Sequence, residues 1–209
     1  MLNTNIGKGI WGIVLAAGMS NRMGTPKMLL HYKNKSLVQH VIHGAIHSKL
    51  EGIVVVFNPQ VKGLYKEIID CGVDRIVENR FSQKGMSTSL RKGISSLPEG
   101  VEAAVILLGD QPEMTNKEIN KIIDTYHTFE KPLIVQSLYL NNEKGHPVLF
   151  NKKIFSKLLE VGGDTGGKKV IKAFADKTAF AEMKKENIRD IDYLEDYKRL
   201  VMKRRLNDE

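Results

Sequence analysis

Residues 10–27 read IWGIVLAAGMSNRMGTPK: a short apolar run with Gly12 inside it passes directly into a loop that carries Gly18, Arg22, Gly24 and Lys27. The apolar part is too short to cross a bilayer, and it lacks the basic flank and small-residue cleavage site of a secretory signal. It predicts a β-strand over 10–16 that ends in a glycine-rich turn. Working outward, comparable runs at 52–57, 75–78, 103–108, 133–136, 148–150 and 178–181 are read as strands. Between them, amphipathic stretches at 37–49, 60–69, 87–97, 117–129 and 152–159 are read as helices, with Thr115 as an N-cap three residues before Glu118. Strands and helices in alternation predict an α/β fold built from βαβ units. Ligands of such sheets bind beyond the carboxyl ends of the strands, so the loops after Ala16 and Leu108 are where chemistry is expected.

Composition narrows the function. The chain has 209 residues, 42% of them hydrophobic, enough for the core of one compact domain. Its single cysteine, Cys71, excludes an internal disulfide and any multi-cysteine zinc site, and together with the missing leader it points to a cytoplasmic protein without membrane partners. The formal net charge is +8, but the cations are scattered, and the densest run, Lys198, Arg199, Lys203, Arg204 and Arg205, has the look of a solvated helix face. No nucleic-acid partner is expected; a mild positive field suits polyphosphate substrates.

Three segments carry chemistry. In the loop at 15–27, Gly18 and Gly24 let the backbone turn tightly, while Arg22 and Lys27 place two cations where a triphosphate could lie. Lys27, being in a loop, is expected to be solvent-accessible. The loop is not a P-loop, and a GxGxxG formed by Gly7, Gly9 and Gly12 is dismissed because it enters the strand instead of following it. After the most apolar run comes LLGDQPEMT, 107–115, whose Asp110 stands at a strand's carboxyl end, suited to hold Mg²⁺ through oxygen. The acidic stretch RDIDYLEDY, 189–197, offers Asp190, Asp192, Glu195 and Asp196, most of which are read as caps and surface charges. His40, His43 and His47 share one helix face and are read as structural; among the six histidines only His146 falls in a candidate ligand segment.

The segments LAAGMSNRMGTPK, GMSTSLRKG (85–93), GDQP, GHPVLF (145–150), GDTGG (163–167) and DIDYLED (190–196) together resemble the MobA-like NTP transferase family, in order and over nearly the whole chain. Within it the sequence is most similar to molybdenum cofactor cytidylyltransferases and related accessory proteins of purine catabolism; Tyr193 stands where the family usually has Thr. The resemblance implies a single-domain three-layer α/β/α, Rossmann-like nucleotidyltransferase fold with a mostly parallel mixed sheet over residues 1–209. It implies that Leu15, Ala16, Ala17 and Gly18 wrap the base and ribose, with Asn79, Ser87 and Ser89 near the base. Arg22 and Lys27 would bind the triphosphate and act catalytically, Asp110 and Asp192 would hold Mg²⁺, and His146 and Asp164 would face the acceptor.

The expected reaction moves CMP from CTP to molybdopterin with release of pyrophosphate, and a molybdenum hydroxylase is the expected downstream partner. A sugar phosphate or isoprenoid alcohol phosphate as acceptor, or a non-catalytic cofactor-insertion role, are the alternatives. An acceptor phosphate is already ionised at neutral pH, so no general base is required, in keeping with the absence of a Ser/His/Asp or Cys/His arrangement. The base preference follows from Ala17, where guanylyltransferases of the family carry a second glycine: its methyl narrows the space beside the base and favours a pyrimidine.

Overall fold

Side chains along a strand point alternately to its two faces, and the first strand, β1 (Gly9–Ala16), has a hydrophobic cluster on each. Trp11, Ile13 and Leu15 enter one cluster, and Ile10, Val14 and Ala16 enter the other. The computed structural model describes residues 8–18, 20 and 23–207. After β1 come a two-strand ribbon, β2 (His31–Tyr32) and β3 (Lys35–Ser36), then α1 (Leu37–Ile46), β4 (Gly52–Phe57), α2 (Leu64–Ile69) and β5 (Arg75–Glu78). The middle of the chain forms α3 (Met86–Ser95), β6 (Val101–Leu108), α4 (Asn116–Thr128), β7 (Ile134–Leu138) and β8 (Lys144–Asn151). The remainder forms α5 (Phe155–Glu160), α6 (Lys168–Ala173), β9 (Thr178–Glu182) and α7 (Leu194–Asn207).

Seven strands make one sheet in the order β5-β4-β1-β6-β8-β7-β9. Only β8 runs against its neighbours; every other pairing in this sheet is parallel. Side chains from α1, α2 and α4 (Val41, Leu64, Ile122) fill the cluster on one face, and those from α3, α5 and α6 (Leu90, Leu158, Val170) fill the other. The result is the three-layer α/β/α sandwich with a mostly parallel mixed sheet. The chain winds outward from β1 to β4 and β5, then returns past β1 to β6, so β1 and β6 flank the topological switch point where α/β sheets open a crevice. Gly93 keeps α3 close to that crevice: a Cβ there would lie 2.4 Å from Cγ2 of Ile13.

Several boundaries differ from the sequence expectation. The helix expected over 60–69 starts at Leu64, because the Asn58 side chain accepts from the Gln60 backbone N–H at 2.9 Å and Gly63 adopts φ +87°, holding the preceding residues in a turn. The strand expected over 148–150 extends back to Lys144, and residues 152–154 form a 3₁₀ turn ahead of α5. The ribbon and α6 were not anticipated. Thr115 does cap α4: Glu118 Oε2 accepts from its backbone N–H at 2.9 Å and from its hydroxyl at 2.7 Å. Gly9 and Gly12 lie inside β1, and Gly7 lies outside the described residues.

A smaller cluster of Tyr32, Leu37, Ile191 and Leu200 packs α7 against the ribbon, and Tyr197 Oη donates to the carbonyl of His31 at 2.7 Å. Among the described residues no helix is long and apolar enough to cross a membrane.

Candidate active site

The turn after β1 is pinned before Lys27 is reached. Ser20 Oγ accepts from the Lys27 backbone N–H at 3.0 Å, and Met28, 3% exposed, inserts beside Gly18 and Gly109. Lys27 then projects from a 3₁₀ turn toward the end of β6, where Nζ lies 2.6 Å from Asp110 Oδ2 and 2.8 Å from Asp192 Oδ1. The residue is 7% exposed, so the expectation of an accessible loop lysine is corrected: two carboxylates from distant segments enclose it. Burial alone would lower its pKa; the charges and hydrogen bonds of Asp110 and Asp192 outweigh that and raise it, so the ammonium stays protonated.

Asp192 reaches this point because the segment carrying it is tied to the turn after β6. The Ile191 backbone N–H donates to the carbonyl of Asp110 at 3.1 Å. Gln111, 3% exposed, donates from Nε2 to the carbonyl of Ile188 at 3.0 Å and to Asp190 Oδ1 at 2.8 Å. Asp196 Oδ2 accepts from the backbone N–H groups of Asp192 at 3.2 Å and Tyr193 at 2.9 Å, the capping role expected of part of the acidic stretch. Sequence reasoning missed Gln111; Asp190, grouped there with the surface charges, is indeed exposed but faces the cleft. The GDQP motif was the available signal, but what the glutamine grips lies almost eighty residues away.

Asp190 opens onto the cleft yet sits among protein atoms at its base. Burial first, then the Asp110 charge, push its pKa up from 3.8 to about 6. A folded-state pKa above the unfolded value means the native state binds that proton more tightly, so stability falls as pH rises from about 4 to about 6. Asp190→Asn removes that loss. We expect the variant to melt at a higher temperature than the wild type near pH 8 in chelator, and the two to converge below about pH 4. A melting difference that does not change with pH would refute this.

The carboxyl ends of β1 and β6 floor a cleft of two adjoining lobes, which share Leu15, Met86, Leu108, Asp164 and Asp190. The first lobe, about 430 Å³, is walled by Ala17, Gly18, Ser89 and the Lys27–Asp110–Asp192 cluster. The second, about 350 Å³, joins an apolar wall of Leu90, Ile106, Val148 and Phe150 to a rim bearing Lys144, Lys168 and Arg189. His146 belongs to this second lobe: because β8 is reversed, its first residues lie beside the carboxyl end of β6, and His146 Nδ1–H donates to the carbonyl of Ile106 at 3.3 Å. Burial chiefly lowers the His146 pKa, which keeps the ring neutral.

Asp164 stands between the lobes, where Oδ1 accepts from the Met86 backbone N–H at 3.3 Å at the start of α3. That contact depends on Gly85, whose φ is +104° and whose added Cβ would lie 2.5 Å from the Gly163 carbonyl carbon. Three residues expected at the nucleotide do not line the cleft. Ala16 turns into the core with α1 and α4. Asn79 is fully buried, donating from Nδ2 to Thr88 Oγ1 and Ser89 Oγ, each at 2.9 Å, and accepting from the Phe81 N–H at 3.0 Å. Ser87 is also fully buried, on the inner side of α3. Arg22 lies outside the described residues.

Asp110 Oδ2 and Asp192 Oδ1 converge on one cation-sized position, at which the Lys27 ammonium is a stand-in ion. Among the described residues no three His, Cys, Asp or Glu side chains cluster to hold a metal. Two carboxylates with phosphate oxygens are nevertheless the donor set Mg²⁺ uses in phosphoryl-transfer sites. His40 contacts the carbonyl of Tyr32, and His47 Nδ1 lies 2.8 Å from the carbonyl of His43, consistent with their structural reading.

Residues 12–179 match the MobA-like NTP transferase domain. This chain belongs to that family. Among curated members it is 28% identical over 142 residues to the bifunctional protein GlmU of Buchnera aphidicola, covering 67% of this chain but only 30% of that protein. It is 29% identical to a probable molybdenum cofactor guanylyltransferase of Bacillus mycoides, covering 54% of each chain. To the purine catabolism protein PucB of Bacillus subtilis it is 26% identical, covering 78% of this chain and 80% of the other. A solved homologue of Mycobacterium tuberculosis Rv0371c, from Mycobacterium strain JC1, superposes with a TM-score of 0.80 at 27% identity over 94% of this chain and 98% of that one. Rv0371c itself, in complex with manganese, gives 0.75 at 24% identity over 92% and 97%. The MobA-like fold therefore accounts for the crevice, and nucleotidyl transfer is the chemistry of the family.

Proposed function

We propose that this MobA-like chain transfers CMP from CTP to molybdopterin, releasing pyrophosphate, with Mg²⁺ held by Asp110 and Asp192. The observation that carries the reading is the meeting of Lys27, Asp110 and Asp192 in the first lobe, directly beside a second lobe large enough for a separate acceptor. Cations on the rim of the second lobe suit an acceptor phosphate, and its apolar wall suits a ring system. The manganese complex of Rv0371c supports a divalent cation, and the name of the molybdenum cofactor guanylyltransferase relative supports molybdopterin as acceptor; a molybdenum hydroxylase as downstream partner is part of the same proposal.

The acceptor phosphate, ionised at neutral pH, attacks the α-phosphorus in line, and the chain's residues position and neutralise. Lys27 contributes its charge to the phosphates, with Arg22 as a second cation. Asp110 and Asp192 would hold Mg²⁺, which when bound would supply positive charge to the phosphate oxygens. Asp164, shared by both lobes, orders the start of α3 between nucleotide and acceptor. His146, neutral and fixed by Ile106, presents its free Nε2 as an acceptor for a donor group on the second substrate. Ser89 faces the base, while Asn79 acts by holding the Ser89 hydroxyl in place.

Pyrophosphate release from CTP and from GTP, with molybdopterin as acceptor, tests the reading. CTP should be used far better; a preference for GTP would overturn the cytidylyl assignment, and no turnover with molybdopterin would overturn the acceptor. Ala17 is 2% exposed and lines the first lobe. Ala17→Gly should narrow the CTP-over-GTP ratio in kcat/KM without reversing it, since discrimination by one methyl is worth about 1–3 kcal/mol. An unchanged ratio would place the base elsewhere.

A further inference from the structure

We infer that in the free protein the Lys27 ammonium occupies the position that a divalent cation takes on Asp110 and Asp192, so that lysine and metal exclude each other there until a nucleoside triphosphate draws Lys27 away. This rests on the reading above in one respect, that Asp110 and Asp192 are the metal-holding carboxylates.

The geometry leaves one place for one cation. Asp110 Oδ2 and Asp192 Oδ1 lie 2.6 and 2.8 Å from the same nitrogen, the lengths of charge-assisted hydrogen bonds. Mg²⁺ bound to the same oxygens would sit about 2.1 Å from each, too near the ammonium for both to stay. Lys27 can leave without unfolding its turn. Its backbone N–H is held by Ser20 and its neighbour Met28 is buried, whereas the side chain is held at Nζ, is a flexible four-carbon stem by nature, and borders the first lobe. Two carboxylates alone are a poor site for Mg²⁺, and no third acidic or histidine ligand joins them among the described residues. A triphosphate supplies both missing parts: oxygens for the metal and a new anionic partner for the lysine. Metal and nucleotide then bind with positive coupling, and by linkage each raises the affinity of the other equally.

The test titrates Mn²⁺ into the protein without nucleotide and follows free Mn²⁺ by electron paramagnetic resonance. Lys27→Met, which keeps the aliphatic stem, and Lys27→Ala should each bind Mn²⁺ at least about tenfold more tightly than wild type, because a charged competitor for the same oxygens is gone. Propylammonium should then weaken Mn²⁺ binding to Lys27→Ala competitively. In wild type, a CTP analogue that cannot be cleaved at the α,β bond should tighten Mn²⁺ binding beyond what the analogue alone holds. That gain should shrink in Lys27→Met.

Equal or weaker Mn²⁺ affinity in folded Lys27 variants would overturn the exchange, since lysine and metal would then use different oxygens. If neither variant folds, loss of the analogue effect in wild type overturns it and its presence supports it. The underlying reading fails separately: Asp110→Asn that leaves analogue-dependent Mn²⁺ binding unchanged would place the metal elsewhere.

Discussion

Lys27→Ala should cut nucleotidyl transfer on the order of 10²-fold or more, the loss typical of removing one preorganised electrostatic group from a developing charge. The effect should fall on kcat more than on KM for CTP, because the charge matters most as pyrophosphate departs. Burial adds a second consequence that a surface lysine would not have. Removing Lys27 takes away the ammonium that Asp110 and Asp192 share, so the two carboxylates repel each other more strongly. Asp192 is 41% exposed at its side chain, so water screens the pair, and the stability cost should be about 1–3 kcal/mol, less than for breaking a fully buried pair. Steady-state kinetics with a thermal melt check both statements. Near wild-type turnover in a folded Lys27→Ala would remove the residue from the mechanism.

Asp110→Asn should also lose most activity, on the order of 10²-fold, with a rise in the Mg²⁺ concentration needed for half-maximal rate. The amide preserves the shape of a side chain set at the carboxyl end of β6 but withdraws the charge that holds a cation. The backbone carbonyl of Asp110, which accepts from Ile191, is untouched, so the segment bearing Asp192 should stay docked. Rate against Mg²⁺ concentration for the two proteins is the measurement. Coincident curves with equal maxima would mean that the metal lies elsewhere. Asp192→Asn should act in the same direction and more weakly, since that side chain is the more open of the two.

The strands were legible because burial on both faces of a parallel sheet leaves continuous apolar runs, and all seven expected runs became strands of the sheet. The ribbon and α6 escaped for the opposite reason. Each ribbon strand has two residues, and in α6 only Val170 is buried, so neither has a period to detect. Within the site, the motifs located the Lys27 turn and Asp110, but not the burial of Lys27, because that burial is imposed by Asp192, 165 positions away. The same limit hid Gln111, whose partners, Ile188 and Asp190, come close only when the chain crosses back over the turn after β6. Asn79 shows the converse: a polar residue beside a ligand segment turned out to be saturated by Thr88, Ser89 and Phe81.

The reversed strand β8 bears on how readily such a protein could acquire a new acceptor. His146, Val148 and Phe150 line the second lobe from one strand face, and Val148 and Phe150 also sit in the cluster beneath α3 and α5. Phe150 is constrained further, since its ring would meet a Cβ on Gly167 at 2.8 Å. A substitution along that wall therefore changes ligand shape and core packing together, and most such changes lower stability. The opposite rim, at 164–168 and 187–190, consists of the end of a 3₁₀ turn, irregular chain and the first residue of α6, and such connecting segments accept exchange with little loss of stability. Adaptation to another phosphorylated acceptor is therefore expected to accumulate first in those two rim segments, with β8 held nearly fixed.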